Sequence, residues 1–233
     1  MRVLVACEES QVVCTAFRER GHEAYSCDII DCSGGHLEWH IKCDVLDILN
    51  PKKHQVIDDF TTIKGIEFVT CDGKNHFIYD KWDLIIAHPP CTYLCNTGTP
   101  FLDVNKWGEK AIERAKLREE AFGFFMEFVN ADCDKIVIEN PVGLPNSRYR
   151  KPDQIINPWQ FNHPYDKRTC LWIKGVKKLE PFCTEKPNGI KSYAYHTMLD
   201  ENGKTISWNC ELSKKLRSRT FEGIAKAMAE QWG

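Results

Sequence analysis

Short apolar runs alternate with amphipathic stretches along the first half of this chain of 233 residues. Residues 2–6 and 23–27 are predicted as short strands, and the second is followed by Asp28. Between them, residues 11–20 repeat apolar positions with the period of a helix, and Ser10 is a typical N-cap for it. Strands that alternate with helices of this length predict a parallel sheet with helices on both faces.

The same alternation returns after residue 80. Residues 82–87 and 135–139 are predicted as buried strands, and the stretch between them predicts a long helix over residues 107–130. Farther along, residues 169–173 form a clear strand pattern, and residues 220–232 form a final amphipathic helix. The predicted fold class is therefore α/β, with a doubly wound and mostly parallel sheet.

One segment interrupts this pattern before residue 82. Residues 67–71 and 75–79 are predicted as two strands joined by a turn that contains Gly73, which indicates a β-hairpin insertion over about residues 54–80. The chain also becomes rich in loops after the strand at 169–173. We therefore expect a core, a small loop-rich segment and a helix that returns to the core, over residues 1–175, 176–216 and 217–233 respectively.

Composition excludes several classes of protein. The chain is 42% hydrophobic and 27% charged, which is ordinary for a globular protein and argues against a disordered or fibrous chain. Its apolar runs are far shorter than the roughly 20 residues that span a bilayer. No secretory signal is visible at the start of the sequence. We expect a protein of the reducing cytoplasm that does not enter membranes.

Twelve cysteines are present, and none belongs to a Cys-x-x-Cys pair. Zinc sites usually place their ligands in such pairs, and disulfides are rare in cytoplasmic proteins. We therefore expect no metal, and we expect most of the cysteines to be small buried apolar residues.

Charge is distributed unevenly along the chain. Residues 1–140 carry 15 Lys and Arg against 24 Asp and Glu, whereas residues 141–233 carry 16 against 9. This split suggests that the C-terminal part faces a polyanion, although solvated surfaces of unequal composition would give the same count. The densest basic cluster is Lys214, Lys215, Arg217 and Arg219, and aromatic residues that could stack on bases precede it at Tyr193, Tyr195 and Trp208.

Polar residues follow the first three predicted strands, at the edge where a doubly wound sheet binds its ligands. The loop over residues 6–10 leads into a helix N-terminus, whose unpaired amides suit a carboxylate or a phosphate. Asp28 follows the second strand, a position where an acid often binds a ribose diol. Asp44 follows the third strand and could meet an adenine amino group. Together these positions favour a nucleoside-containing cofactor over ordinary loop acids.

The fourth and fifth strands end in residues that could carry a reaction. In His88-Pro89-Pro90-Cys91, each proline fixes its own φ and restrains the residue before it, so the cysteine is held rigidly. A thiol in such a frame becomes a nucleophile where a dipole or cation stabilises its thiolate. Glu139 ends the next strand, where a partly apolar cleft would raise its pKa and make it an acid.

These two motifs resemble those of the DNA cytosine-5 methyltransferase family, most closely its small phage-type members. Residues 88–91 (His-Pro-Pro-Cys) are similar to the family's Pro-Cys motif, and residues 139–141 (Glu-Asn-Pro) to its Glu-Asn-Val motif. The resemblance implies a sheet of the S-adenosylmethionine-dependent methyltransferase type, S-adenosylmethionine as cofactor, DNA as partner, and a small recognition segment over residues 176–216. It covers residues 1–50, 82–143, 158–175 and 216–232.

The resemblance also implies roles for individual residues. The catalytic residues would be Cys91, Glu139 and Arg168. The cofactor would be bound at the strand ends, by Ala6, Cys7, Glu8, Ser10, Asp28, Ile29, Asp44, Val45, His88 and Pro89. The substrate would be bound by Pro90, Asn140 and Lys167, together with the basic cluster at Lys214, Lys215, Arg217 and Arg219.

Two family motifs are altered in this chain. Residues 6–10 read Ala-Cys-Glu-Glu-Ser in place of the family's Phe-x-Gly-x-Gly loop. Lys167-Arg168 stands for the family's Gln-x-Arg-x-Arg motif, and the recognition segment is short, from which we expect poor sequence discrimination.

The resemblance implies a covalent mechanism. The Cys91 thiolate would attack C6 of cytosine while Glu139 binds or protonates N3, which makes C5 reactive toward the sulfonium methyl group. A base would then remove the C5 proton and the thiolate would leave. In duplex DNA the base must first leave the stack, and Arg168 would hold the flipped base or its phosphate.

Other functions fit parts of the same pattern. An amino-group methyltransferase acting on adenine N6 or cytosine N4 would carry an aromatic residue where Cys91 stands, although Tyr93 is close to that position. The same cysteine chemistry could act on a free pyrimidine nucleotide, in agreement with the short recognition segment. A non-catalytic decoy would be expected to lack Cys91 or Glu139, and both are present.

Overall fold

The computed structural model of the chain describes residues 1–55, 62–196, 199–200, 202–208 and 210–233. Its strands are β1 (Arg2–Ala6), β2 (Glu23–Asp28), β3 (His40–Lys42), β4 (Lys52–Gln55), β5 (Thr62–Val69), β6 (Asn75–Tyr79), β7 (Leu84–Ala87), β8 (Ile136–Pro141), β9 (Gln154–Ile156), β10 (Tyr165–Asp166), β11 (Thr169–Lys174) and β12 (Lys191–Ser192). Its α-helices are α1 (Val12–Glu19), α2 (Leu46–Leu49), α3 (Val104–Trp107), α4 (Glu109–Val129), α5 (Pro145–Arg148), α6 (Tyr193–His196), α7 (Glu211–Ser218) and α8 (Glu222–Trp232). Short 3-10 helices span Leu37–Trp39, Asn96–Leu102 and Pro158–Phe161.

A seven-stranded sheet in the order β3-β2-β1-β7-β8-β11-β9 forms the centre of the molecule. The first five strands lie parallel, whereas β11 runs antiparallel to both of its neighbours. The chain proceeds from β1 toward one edge of the sheet and from β7 toward the other, so the topological switch point lies between these two strands. The predicted α/β class and mostly parallel sheet are therefore confirmed.

Helices cover both faces of this sheet because alternate residues of each strand point to opposite sides. On one face, Val3 and Val5 of β1 pack with apolar residues of α1 and α8. On the other face, Leu4 and Ala6 of the same strand belong to a core that includes Phe125 of α4. The last helix thus returns to the first strand, as the sequence predicts.

Two helix ends differ from the predicted ones for local reasons. The helix predicted over residues 107–130 is interrupted at Gly108, whose positive φ of 55° separates α3 from α4. The first helix begins after Gln11, which also has a positive φ of 59°, and Ser10 does not cap it. A glycine at position 108 suits this break because a residue without Cβ adopts positive φ at little cost.

The predicted hairpin is present and is larger than expected. β5 and β6 pair in an antiparallel fashion around a turn at Gly73, and β4 adds a third strand; residues 56–61 of the predicted insertion lie outside the described residues. Phe68 of β5 packs against Tyr25 of β2, with ring centres 4.9 Å apart. The insertion therefore extends the apolar core of the main sheet.

The segment after β11 contains few regular elements. β12 pairs with β10, α6 follows it, and α7 leads to the final helix. The boundary predicted between residues 216 and 217 falls inside α7. The basic cluster of the C-terminal part consequently lies on and just after one helix.

The cysteines are less buried than predicted. Four are buried, seven are half-buried and Cys91 is exposed, so the expectation that most are buried is wrong. All twelve are unpaired; Cys27 Sγ and Cys43 Sγ lie 3.8 Å apart. Within the described ranges no helix is both long and apolar enough to cross a bilayer, and no group of three His, Cys, Asp or Glu side chains could hold a metal ion.

Candidate active site

A cleft of about 570 Å³ opens at the carboxyl ends of β1, β2 and β7, beside the switch point. One wall is acidic and comes from the loops that follow β1 and β2. The floor is the turn after β7, and the facing wall is basic and comes from α7 and the residues after it. These three parts contribute Glu8, Glu9, Asp28 and Asp31, then His88, Pro90 and Cys91, then Lys214, Lys215, Arg217 and Arg219.

The turn that carries Cys91 is fixed by its neighbours. The His88 amide donates a hydrogen bond of 2.9 Å to the Ala6 carbonyl, and the Asn140 side chain donates one of 2.7 Å to the Pro89 carbonyl. Asn140 and Pro89 are both buried. Asn140 was predicted to bind substrate and Pro89 to bind cofactor, but the structure uses both to hold the turn.

The loop after β8 presses on the same turn. The Leu144 amide donates a hydrogen bond of 2.7 Å to the Leu94 carbonyl. A Cβ on Gly143 would lie 2.1 Å from that carbonyl oxygen, so only glycine permits this approach. The loops that follow Cys91 and Glu139 are therefore packed directly against each other.

Cys91 is exposed on the floor of the cleft. One side of Cys91 is open to solvent, and protein atoms surround its other side. The resulting desolvation raises the pKa of its thiol. The charges of Cys95 and Glu139 raise that pKa further, while Lys167 lowers it. The thiol is therefore protonated near neutral pH. Formation of the thiolate that the sequence predicts would require stabilisation by cations of the facing wall.

Glu139 is on β8 and lies beside His88, which follows the neighbouring strand β7. Nδ1 of His88 is 2.9 Å from Oε2 of Glu139, and the two side chains are 8% and 16% exposed. Burial alone would raise the pKa of Glu139. The hydrogen bond and charge of His88, together with the charge of Lys167, outweigh burial and leave that pKa below its usual range. The predicted rise of this pKa is therefore wrong, and Glu139 is an ionised carboxylate.

His88 was predicted to bind the cofactor, and its role as a partner of Glu139 was missed. The sequence did contain a signal for it. Ala87 of β7 and Ile138 of β8 lie opposite each other in the sheet. His88 follows Ala87, and Glu139 follows Ile138. Residues that follow paired positions in adjacent parallel strands must be neighbours.

The cation nearest this pair is on Lys167. Its charge acts on both Cys91 and Glu139, and its Nζ donates a hydrogen bond of 2.9 Å to the Arg217 carbonyl. Arg168, predicted to be catalytic, is exposed, and its charge acts on the thiol of Cys170. Neighbouring residues of an extended chain point in opposite directions, so only one of the two can face the cleft.

The helix N-terminus that was predicted to bind an anion already has one. The two oxygens of the Glu8 carboxylate accept hydrogen bonds from the amides of Val13 and Cys14, at 2.7 and 3.1 Å. Burial raises the pKa of Glu8, and the charge of His88 and these two amides oppose that rise. Glu8 therefore caps α1 in place of Ser10, which instead lines the cleft.

Asp28 stands at the acidic wall as predicted. It is half-buried, and one oxygen accepts a hydrogen bond of 3.3 Å from the Ile30 amide. Desolvation raises its pKa. Ile29 beside it is 71% exposed, and the exposed Ile30 lines the cleft. A polar acid next to an uncovered apolar residue suits a nucleoside, whose ribose is polar and whose base is flat and apolar.

The remaining predicted cofactor residues differ in accessibility. Ala6 and Val45 are buried, so their side chains serve the core. Cys7 lies next to the acidic wall with a positive φ of 59°, and the charges of Asp28 and Asp44 both reach its thiol. Asp44 is exposed and accepts a hydrogen bond of 3.0 Å from the Leu46 amide.

The basic wall holds its central arginine in place. The Arg217 guanidinium lies 3.8 Å from the Trp208 ring centre and donates hydrogen bonds to the Trp208 carbonyl and to Ser213 Oγ, at 2.8 and 2.6 Å. Lys214, Lys215 and Arg219 are exposed. The three aromatic residues predicted to stack on bases are placed differently. Trp208 stacks on Arg217, and Tyr193 is buried. The side chain of Tyr195 lies outside the described part of the chain.

Comparison with known proteins adds no relative. No model of a protein family matches the chain, and no curated protein matches it.

Proposed function

We propose that the protein transfers a methyl group from S-adenosylmethionine to C5 of cytosine in DNA, through a covalent bond between Cys91 and C6 of the base. The observation that carries this proposal is an exposed thiol on the floor of a cleft beside His88, whose ring is hydrogen-bonded to Glu139. That arrangement agrees with the two motifs on which the resemblance depends. The mixed, mostly parallel sheet is compatible with it.

The pair of residues suits this chemistry because cytosine is a poor nucleophile at C5. Bond formation between Cys91 Sγ and C6 makes C5 electron-rich, provided that N3 gains a hydrogen bond or a proton at the same time. Glu139 contacts His88 on the floor of the cleft, and it would be the group that meets N3 of the base. The charges of Lys167 and Arg217 both act on Cys91 and would stabilise its developing thiolate.

The acidic wall fits the cofactor in charge and in shape. Asp28 would bind the ribose hydroxyl groups, and the side chain of Ile29 is exposed to cover an adenine ring. The negative charges of Glu9 and Asp28 complement a sulfonium cation. The helix N-terminus of α1 would not contribute, because Glu8 occupies its amides. When bound, S-adenosylmethionine supplies the electrophilic methyl group that C5 accepts.

The basic wall fits a nucleic acid. Lys214, Lys215 and Arg219 are exposed side by side along the cleft, where they can contact phosphates. Because phosphate contacts carry no base information and the recognition segment is short, we infer weak sequence discrimination. A nucleophilic thiol and a DNA substrate both point to a reducing cytoplasm.

An amino-group methyltransferase is less well supported. The aromatic residue nearest the nucleophile position, Tyr93, lies under the guanidinium of Arg114, 5.2 Å from ring centre to cation. That contact ties its ring to α4. The structure offers no particular observation that favours a free nucleotide or a non-catalytic role.

The experiment that tests the proposal is mass spectrometry of nucleosides. DNA is incubated with the protein and methyl-labelled S-adenosylmethionine, then digested. Labelled 5-methyldeoxycytidine supports the proposal, and Cys91→Ala should abolish it. Label in N4-methyldeoxycytidine or N6-methyldeoxyadenosine would replace the proposal with amino-group transfer, and no label in DNA but label in free nucleotides would change the substrate.

A further inference from the structure

The ionised state of Glu139 leaves a chemical gap in the proposed function. N3 of cytosine must gain a proton when the Cys91–C6 bond forms, and a carboxylate has none to give. The pKa of Glu139 is lowered by its neighbours, as described above. Another group in contact with Glu139 must therefore hold the proton.

His88 is the group in contact. Its Nδ1 lies 2.9 Å from Glu139 Oε2, and since the carboxylate can only accept, Nδ1 must carry the hydrogen. The ring is fixed by the backbone, because the His88 amide is bonded to the Ala6 carbonyl at 2.9 Å. The proton is thus already placed on the line between the two side chains.

The second nitrogen of the His88 ring, Nε2, is also in a distinctive environment. His88 Nε2 is buried and has no hydrogen-bond partner among the residues that the structure describes. Buried polar atoms without partners are rare in native proteins and call for an explanation. The buried carboxylate of Glu8 faces this ring electrostatically from the loop after β1. The charge of His88 therefore acts on two carboxylates, Glu8 and Glu139, and its ring is hydrogen-bonded to Glu139.

We propose that His88 is a positioning residue that orients Glu139 and holds the proton which Glu139 delivers to N3 of the target base. This inference rests on the proposed function. The charged and titratable groups around the pair are Glu8 after β1, Cys91 after β7, Glu139 on β8 and Lys167 before β11. The hydrogen bond and charge of His88 lower the pKa of Glu139, and the charge of Lys167 adds a smaller effect in the same direction.

The proton and electron pairs balance over the cycle. Cys91 loses its thiol proton to water as Sγ bonds to C6; the electron pair of the C5–C6 double bond moves to the C4–C5 bond, and that of the C4–N3 double bond moves to N3. Glu139 takes the proton of His88 Nδ1 and passes it to N3, so that Glu139 is again a carboxylate. After methylation, the C5 proton leaves to water, the Sγ–C6 pair returns to sulfur, and the N3 proton returns through Glu139 to His88.

The test compares His88→Asn with the wild-type protein across a pH series. Asparagine places an N–H near the position of Nδ1, so it can still orient Glu139, but it cannot hold an extra proton. The rate of covalent adduct formation with DNA that contains 5-fluorocytosine is measured from pH 6 to pH 9. His54→Asn, on β4 and away from the cleft, is the matched control.

The expected result is a loss of roughly 10²-fold or more at the acidic end, the size typical of a proton-transfer group. On this inference the difference should shrink as pH rises, because an imidazole can supply a proton only in its acid form. A ratio that stays constant with pH would overturn the inference and leave the proposed function standing. No adduct with wild-type protein at any pH would overturn both.

A second measurement does not depend on activity or on a variant. Nitrogen NMR of the imidazole rings in the wild-type protein reports which ring nitrogens carry hydrogen. We expect hydrogen on Nδ1 of His88 near neutral pH, held there by the Glu139 carboxylate that accepts its hydrogen bond. A neutral ring with hydrogen on Nε2 alone would refute the proposal even if the variant failed to fold.

Discussion

Lys167 Nζ donates a hydrogen bond of 2.9 Å to the backbone carbonyl of Arg217, and so joins the turn before β11 to the end of α7. The same ammonium group faces Cys91 and Glu139. One side chain therefore connects the basic wall of the cleft to its reactive floor. Movement of α7 on binding a polyanion would change the field at the thiol.

This relationship predicts that Lys167→Met slows the alkylation of Cys91 by iodoacetamide near neutral pH. Lys167 lowers the pKa of the thiol, so its removal raises that pKa and reduces the thiolate fraction. We expect a rate decrease of roughly threefold to tenfold. Peptide mapping by mass spectrometry follows Cys91 separately from the other cysteines.

Arg168→Met is the matched control for that experiment. Arg168 is exposed and acts on Cys170, so Cys91 should be alkylated at the wild-type rate. Equal slowing by both substitutions would show that the effect is general to the positive charge of this segment.

Glu139→Gln is expected to lower turnover by roughly 10²–10⁴-fold, because the amide cannot pass a proton to N3. Affinity for S-adenosylmethionine should change little, since Asp28 and not Glu139 stands at the acidic wall. Turnover is measured with labelled cofactor and affinity by calorimetry. Normal turnover in this variant would remove Glu139 from the reaction.

Asp28→Asn is expected to weaken S-adenosylmethionine binding by about tenfold to a hundredfold, as expected for the loss of a hydrogen bond to a charged group. Asp47→Asn is its control, because Asp47 is exposed on α2. Calorimetry gives both affinities, and circular dichroism checks the fold. Equal affinities for the two variants would place the cofactor elsewhere.

Glu8→Ala is expected to reduce the free energy of unfolding by about 1–3 kcal/mol, because two buried amides of α1 lose their acceptor. Ser10→Ala should change stability much less, since Ser10 does not cap the helix. Urea denaturation of both variants measures the difference. The reverse order of stabilities would restore Ser10 as the cap.

The double variant Lys214→Ala/Lys215→Ala is expected to bind DNA more weakly. Its affinity for DNA should also depend less steeply on salt concentration. Each lost phosphate contact should flatten the slope of log affinity against log salt by roughly 0.7–0.9. Lys177→Ala/Lys178→Ala removes the same charge from an exposed pair outside the cleft. Fluorescence anisotropy over a salt series separates the two, and identical slopes would place the DNA on another face.

Much of the fold could be predicted because its signals are local. The run at residues 2–6 and the helix after it follow directly from apolar periodicity, and the end of α4 differs from the predicted end by one residue. The short strands β9, β10 and β12 were not predicted, since two or three residues give no periodicity. Their pairing depends on contacts distant in sequence.

The sequence indicates which residues lie near the strand ends but not how they contact one another. Asp28 ends β2 and Cys91 follows β7, as expected, whereas Glu139 lies inside β8, two residues before its end. The cap by Glu8, the choice of Lys167 over Arg168 and the ionised state of Glu139 all depend on distances between separate loops. A sequence lists these residues but not the directions in which their side chains point.

The central claim is that Cys91 bonds covalently to the target base, and intact-mass spectrometry tests it most directly. Wild-type protein, S-adenosylmethionine and DNA that contains 5-fluorocytosine should give a stable protein–DNA adduct, because fluorine at C5 leaves no proton to remove. Cys95→Ala, which deletes the neighbouring thiol, should still form the adduct, and Cys91→Ala should form none. An adduct that persists in Cys91→Ala, or no adduct with wild-type protein, would contradict the account.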